Sequence, residues 1–199
     1  MKNASRKKLH LGRGDYVIPG YINVDWVSLP GVDIVHYLAK FPWPFRSGSV
    51  DEVIMVDVLE HLPSITATMD EIYRITIPGT RVVIRVPYYN SWDASYDPTH
   101  VHLFNENSFD FFDPSTDVGK KRGYYSRSRF SIRYIAYLIF PYRRAYTLCR
   151  GDADTRGTDM PSCYSHPIMR STVLHKSLTH VAHKFGNVIR ALHVELVRM

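Results

Sequence analysis

Two short runs, V-D-E-V-I-M-V-D-V from Val50 and R-V-V-I-R-V from Arg81, constrain this chain most. Both are rich in Val and Ile and have the length of buried strands. Between them Ser64 can cap a helix in which Ile65, Met69, Ile72, Tyr73 and Thr76 recur at helical spacing. Pro78-Gly79 predicts the stop and turns the chain into the next strand. Strand, helix and strand in that order make a βαβ unit, which requires a parallel sheet with right-handed crossovers. Leu9–Leu11, Ile22–Val24 and Asp33–His36 add three expected strands ahead of it.

Beyond Pro87 the pattern changes. Tyr88 to His102 is polar, aromatic and loop-like, and Asn105 opens a short helix through Phe109 and Phe112. Residues 117–123 read as a polar loop, and Arg129 to Phe140 as a long strand. The Gly-, Asp-, Pro- and Ser-containing stretch from Arg150 to about residue 170 reads as a surface excursion. Ser171 or Thr172 caps a second helix, with Leu174, Leu178, Val181, Phe185, Val188 and Leu192 forming one core-facing apolar stripe. H-V-E-L-V-R closes the chain as an alternating strand. With 199 residues and 45% hydrophobic content, a single domain over 1–199 is expected.

The net charge of +6 is unevenly distributed. Residues 1–119 carry ten Lys/Arg against fifteen Asp/Glu, whereas residues 120–199 carry fifteen against four. The basic residues are dispersed rather than packed in runs, so a solvated basic face is favoured over a nucleic-acid surface. No apolar run approaches the roughly 20 residues of a membrane span, and no apolar segment follows the basic N-terminus as in a signal peptide. The two cysteines, Cys149 and Cys163, read as reduced thiols of a cytoplasmic protein. The sequence leaves the oligomeric state open.

L-H-L-G-R-G-D, followed by G-Y-I-N-V-D, raises the chemical question. Glycine after a buried strand lets a ligand approach the backbone, and an Asp ending the next strand can accept both hydroxyls of a ribose. Gly12, Gly14 and Asp25 supply these parts. Asp25 comes only eleven residues after Gly14, which leaves no room for the long helix that holds a dinucleotide pyrophosphate. An NAD-dependent oxidoreductase is therefore disfavoured. A ligand with a ribose and no pyrophosphate fits better, and S-adenosylmethionine (SAM) is one.

These blocks resemble the class I SAM-dependent methyltransferases, in the methyltransferase type 11-like subgroup with a shortened first crossover. L-H-L-G-R-G with G-Y-I-N-V-D is similar to its first two motifs, and V-D-I-V-H-Y-L with F-P-W-P-F to its third strand and following loop. S-V-D-E-V-I-M-V-D-V-L-E-H-L and M-D-E-I-Y-R-I-T-I-P-G-T-R-V-V-I-R-V-P are similar to its fourth strand, helix and fifth strand. D-P-T-H-V-H-L-F-N-E-N-S-F and the closing H-V-E-L-V echo later segments. Arg13 stands where the subgroup usually has a small residue or Cys, and Tyr37 where it usually has Asp. The resemblance implies an α/β Rossmann-like fold: a mostly parallel seven-stranded sheet with an antiparallel last strand, and helices on both faces. It also implies SAM as cofactor and S-adenosylhomocysteine (SAH) as product. Leu11, Gly12 and Gly14 would line the methionine end of SAM, and Asp25 would hold the ribose. Trp26 would cover the adenine, with His36, Tyr37 and Leu38 at its edge, and Asp57, Val58 and His61 would lie under the sulfonium.

Methyl transfer from a sulfonium is an in-line displacement, and a general base is needed only where the acceptor must lose a proton. Asp57, His61 and His100 are the candidates for it. Tyr88, Trp92, Asp97, His100 and His102 are the candidate substrate contacts. If residues 97–102 are extended, His100 and His102 share one side of the chain. Asp97, His100 and His102 fall short of a metal signature, and no metal is expected. The leading reading is a methyltransferase acting on a small-molecule or saccharide-type acceptor. The alternatives are a nucleic-acid methyltransferase using the basic C-terminal portion, and a non-catalytic SAM-binding protein.

Overall fold

Strand β1 (Lys8–Leu11) lies inside the sheet, hydrogen-bonded in parallel to β2 (Ile22–Asp25) on one side and to β4 (Val50–Val56) on the other. A strand paired on both edges and covered on both faces must be apolar, and Leu9 and Leu11 are fully buried. The computed structural model describes residues 7–14, 16–139, 147–150, 168–169 and 172–199. Strand β3 (Ile34–Val35) flanks β2, and β5 (Thr76–Pro87) flanks β4, both in parallel. The last strand, β9 (Ile189–Arg198), inserts antiparallel between β5 and β6 (Phe130–Ile139). The order β3-β2-β1-β4-β5-β9-β6 is the expected seven-stranded sheet with its antiparallel last strand. Two short strands, β7 (Thr147–Arg150) and β8 (Ile168–Met169), extend it beyond seven at the β6 edge. Of the excursion expected over 150–170, only those strand residues fall within the described residues, and they join the sheet.

Helix α1 (Ile65–Ile75) begins where Ser64 predicts, its hydroxyl accepting from the Ala67 amide at 3.2 Å. It ends before Pro78-Gly79, because the Thr76 hydroxyl donates to the Ile72 carbonyl at 2.7 Å and the chain leaves directly into β5. Met69, Ile72 and Ile75 bury one face against the sheet core. The stretch expected as a loop after Pro87 contains a one-turn helix, α2 (Trp92–Tyr96), capped by Ser91. The helix expected from Asn105 is reduced to turns, with one 3-10 turn at Asp110–Phe112. Residues expected as a loop form α3 (Asp117–Arg122), capped by the Thr116 hydroxyl.

Helix α4 (Thr172–Lys184) is shorter than its apolar stripe suggested. Val188 precedes β9 and Leu192 belongs to it. Leu174, Val181 and Phe185 are exposed, while Ala182 supplies the fully buried contact. Leu178 and Val188 do pack against the core and Leu192 is fully buried, so the expected core-facing stripe is corrected at Leu174, Val181 and Phe185. The Ser171 cap lies outside the described residues. Among the described residues, no helix is long and apolar enough to cross a membrane.

Candidate functional site

The carboxyl ends of β1, β2 and β4 open on a single cavity of about 710 Å³, within the size range of small-molecule sites. Gly12 turns the chain immediately after β1 with φ +69°, and its amide donates to the Val24 carbonyl at 2.9 Å. A Cβ at this position would stand 2.3 Å from Val58 Cγ2, so only glycine lets the first loop close on the loop after β4. Gly14, also at positive φ, donates its amide to Asp25 Oδ2 at 3.0 Å. Asp25 Oδ1 accepts from the Val27 amide at 3.2 Å. Asp25 is only 6% exposed and its carboxylate is fixed by two backbone donors, yet each oxygen keeps acceptor capacity toward the cavity.

No helix occurs between Gly12 and Tyr21 among the described residues, as the short spacing predicts. Arg13 does not intrude on the cavity. It is nearly buried, and its guanidinium donates to the carbonyls of Gly14 at 3.1 Å and Pro30 at 2.7 Å, bracing the loop from behind. Trp26 and Tyr37 form a tilted pair with ring centroids 6.1 Å apart. They are 69% and 56% exposed, and both line the cavity together with His36 and Leu38.

The third wall follows β4. Asp57 has φ +53°, a conformation that costs a non-glycine residue energy and that turns the chain sharply off the strand. Arg85 on β5 grips its carboxylate with two donors, Nε to Oδ1 at 3.2 Å and Nη2 to Oδ2. Asp57, Val58 and His61 line the cavity, and so do Leu62 and Thr99, which were not anticipated. Leu11 does not line it. Its side chain belongs wholly to the core.

Behind this wall a 3-10 turn at Leu59–His61 carries Glu60 inward. Its side chain is 1% exposed and neither oxygen has a hydrogen-bond partner. Burial, with Asp57 nearby, pushes the Glu60 carboxyl up to about 8. The segment after Asp97 is a turn rather than an extended strand, with the His100 amide donating to the Asp97 carbonyl at 3.3 Å. His100 consequently reaches His61, ring centroids 4.7 Å apart, while the amides of Val101 and His102 both donate to the Glu60 carbonyl. His102 does not join the cluster. Glu60 was missed in the sequence because E-H-L reads as an ordinary turn or helix start. Only its depth below the sheet edge distinguishes it.

Two other expected substrate residues lie elsewhere. Tyr88 is fully buried, its hydroxyl donating to Glu106 Oε2 at 3.0 Å, so it offers no surface to a ligand. Trp92 is 68% exposed, stacks on Tyr96 at 6.3 Å, and lines a second cavity of about 440 Å³ with Asp93, Asn187 and Arg190.

Residues 23–84 match the model of a methyltransferase domain family. Three solved structures share the fold over almost the whole chain. A SAM-dependent methyltransferase from Thermotoga maritima is 12% identical with a TM-score of 0.54, covering 97% of this chain and 82% of its own. A SAM-dependent methyltransferase from Archaeoglobus fulgidus is 16% identical with a TM-score of 0.53, covering 96% and 86%. The YcgJ protein from Bacillus subtilis is 13% identical with a TM-score of 0.53, covering 98% and 92%. The fold is that of a class I methyltransferase. No curated protein matches the sequence. The family match begins at Asn23 in β2 and ends at Ile84 in β5, so it spans Asp25, the Trp26–Tyr37 wall and the turn after β4. The glycine loop and Thr99 lie outside it, and both line the cavity.

Proposed function

We propose that this chain is a SAM-dependent methyltransferase acting on a small-molecule or saccharide-type acceptor. The observation that carries the cofactor assignment is the Gly14–Asp25 corner, a backbone-anchored carboxylate facing a cavity walled by glycines on one side and aromatics on the other. Asp25 accepts the two ribose hydroxyls. Trp26 and Tyr37 cover the adenine, and Gly12 and Gly14 admit the methionine tail. Val58 and His61 would then line the sulfonium end of the bound cofactor.

In the transfer, an acceptor lone pair forms the new bond to the methyl carbon as the C–S bond breaks. The bonding pair stays on sulfur, leaving SAH. The cofactor's own charge activates the methyl group, so alignment is the protein's main contribution, worth roughly 7–11 kcal/mol. Asp57, engaged by Arg85, serves to fix the turn and its charge, which leaves His61 and His100 as the groups to handle a proton.

The saccharide-type acceptor is supported by the second cavity. The Trp92 ring, stacked nearly parallel to that of Tyr96, gives an apolar wall beside the polar groups of Asp93, Asn187 and Arg190. A sugar ring presents the complementary pattern, an apolar C–H face with a hydroxyl rim.

Thermal shift with SAM, SAH, NAD and ATP tests the cofactor. A ligand at 100 times its Kd stabilises by about 2.7 kcal/mol. SAM and SAH are expected to raise Tm, and a rise with NAD alone overturns the assignment. SAH release over a panel of glycosides and small hydroxyl compounds tests the acceptor. SAH binding with no transfer to any acceptor identifies a non-catalytic binder.

A further inference from the structure

We propose that Glu60, His61 and His100 form a binding site for one divalent first-row transition-metal ion beside the cofactor cavity. Each residue offers one ligand atom, and these atoms all lie within 4.8 Å of one another. The hydrogen bonds around the cluster assign the ring protons. His100 Nδ1 faces the Ala94 carbonyl at 3.2 Å, which can only accept, so this nitrogen carries the proton. The Thr99 hydroxyl donates to Asp97 Oδ1 at 2.7 Å, and therefore accepts from His61 Nδ1 at 2.9 Å. In both rings Nε2 is left with its lone pair. Having one ring N–H accepted by a carbonyl or by a carboxylate-backed hydroxyl is how metal-binding histidines are oriented.

Glu60 supplies the second, independent observation. A carboxyl group 1% exposed, with no hydrogen-bond partner for either oxygen, lacks the compensation that buried polar groups normally have. Its Oε1 stands 3.9 Å from His100 Nε2, and Asp97 Oδ2 approaches the same nitrogen at 3.9 Å. A tetrahedral ion with bonds near 2.1 Å needs ligands about 3.4 Å apart, so side-chain rotation closing on the order of 1 Å completes the site. Two imidazoles with one carboxylate suit zinc, iron or related ions rather than magnesium or calcium, which take all-oxygen sets. Three protein ligands leave a position open to solvent or substrate.

His61 and Thr99 also line the cofactor cavity, so the ion would border it. A catalytic role for the ion rests on the methyltransferase reading. With an ion held there, His61 and His100 would serve as its ligands in place of handling a proton: a hydroxyl acceptor at the open position would lose its proton to solvent, its oxygen lone pair would form the bond to the methyl carbon, and the C–S pair would depart on sulfur. The ion's part is to make the hydroxyl acidic enough at neutral pH.

The test uses the full chain stripped with EDTA and titrated calorimetrically with Zn2+, alongside Co2+ visible absorption. One ion per chain with sub-micromolar Kd is expected. Glu60→Gln, His61→Gln and His100→Ala should each weaken it at least about 100-fold, and Thr99→Val about 10-fold. Thermal melts check folding, and the isosteric Glu60→Gln serves if His100→Ala unfolds. No binding at 100 µM Zn2+, or wild-type affinity in the folded variants, overturns the site. SAM calorimetry on the same stripped protein separates the two proposals: SAM binding without zinc binding removes only the metal, and zinc binding without SAM binding removes only the methyltransferase assignment.

Discussion

The Gly14 amide donates to Asp25 Oδ2 at 3.0 Å, tying the loop after β1 to the end of β2 through one carboxylate. The same side chain shapes the loop and presents the cavity's acceptor, so structure and ligand binding are coupled there. Asp25→Ala removes a charged hydrogen-bonding group worth about 1.5–3 kcal/mol. SAM affinity should fall roughly 10- to 150-fold by calorimetry, with a modest loss in Tm because the Gly14 and Val27 amides lose their acceptor. Asp25→Asn, which keeps one acceptor oxygen, should recover most of the Tm and little of the affinity. Unchanged SAM affinity in Asp25→Ala would remove the ribose assignment.

Gly12 and Val58 touch across the cavity floor. A methyl group on Gly12 meets Val58 Cγ2 at 2.3 Å and also sits at a positive φ. Gly12→Ala should therefore cost about 1–3 kcal/mol from overpacking and backbone strain, and weaken SAM binding with it. Val58→Ala in the same chain relieves the clash but not the strain. The double variant should regain part of the lost denaturation midpoint, and a strictly additive cycle would show that the contact is unimportant.

Much of this site was legible because its signals are local. Gly12, Gly14 and Asp25 follow from the residue types that a strand end and a ribose require, and Ser64 announces helix α1. The misreadings arose where long-range contacts decide. Residues 117–122 lack apolar periodicity, and they are helical because Thr116 caps them and Gly119 packs tightly on Asp113, whose carbonyl oxygen would lie 1.9 Å from an added Cβ. Val188 and Leu192 continue the spacing of α4 by coincidence, and Asn187 at φ +63° ends that run. Tyr88 sits in a string that looks like a loop, yet it extends the edge of β5, its amide donating to the Arg190 carbonyl at 3.0 Å. The burial of Glu60 is a property of the sheet, with no trace in its sequence neighbours.

Charges alternate across five adjacent strands as Lys8, Glu52, Arg81, Glu195 and Arg133, each within ion-pair distance of the next. Arg81 is the central member, with Nη1 2.8 Å from Glu52 and Nε 2.8 Å from Glu195, whose side chain is 2% exposed. Arg81→Met leaves that buried carboxylate with only the partly exposed Arg133, and should cost about 3–5 kcal/mol. Arg133→Ala removes a more exposed partner and should cost under about 1 kcal/mol. Guanidinium denaturation of both variants checks the ranking, and equal losses would contradict it.

His10 gives the fold a dependence on acid. It is fully buried on β1, and its Nδ1 donates to Asn23 Oδ1 at 3.1 Å, an oxygen that also accepts from the Ile18 amide. Burial holds the imidazole below its ordinary value of 6.5, with the Asn23 hydrogen bond only partly opposing it. As pH falls through 6.5 the unfolded chain takes up this proton before the folded one does. The unfolded state then binds more protons, and stability declines with falling pH. The contribution is complete above 6.5 and is lost progressively below it, until the folded-state value is passed. Glu60, whose carboxyl is pushed up to about 8, acts with the opposite sign over the same range, so the His10 part is read as a difference: from pH 7.5 down to pH 5 the denaturation midpoint of the wild type should drop relative to that of His10→Gln, which cannot titrate. Parallel pH profiles for the two proteins would show that His10 does not titrate differently in the folded and unfolded states.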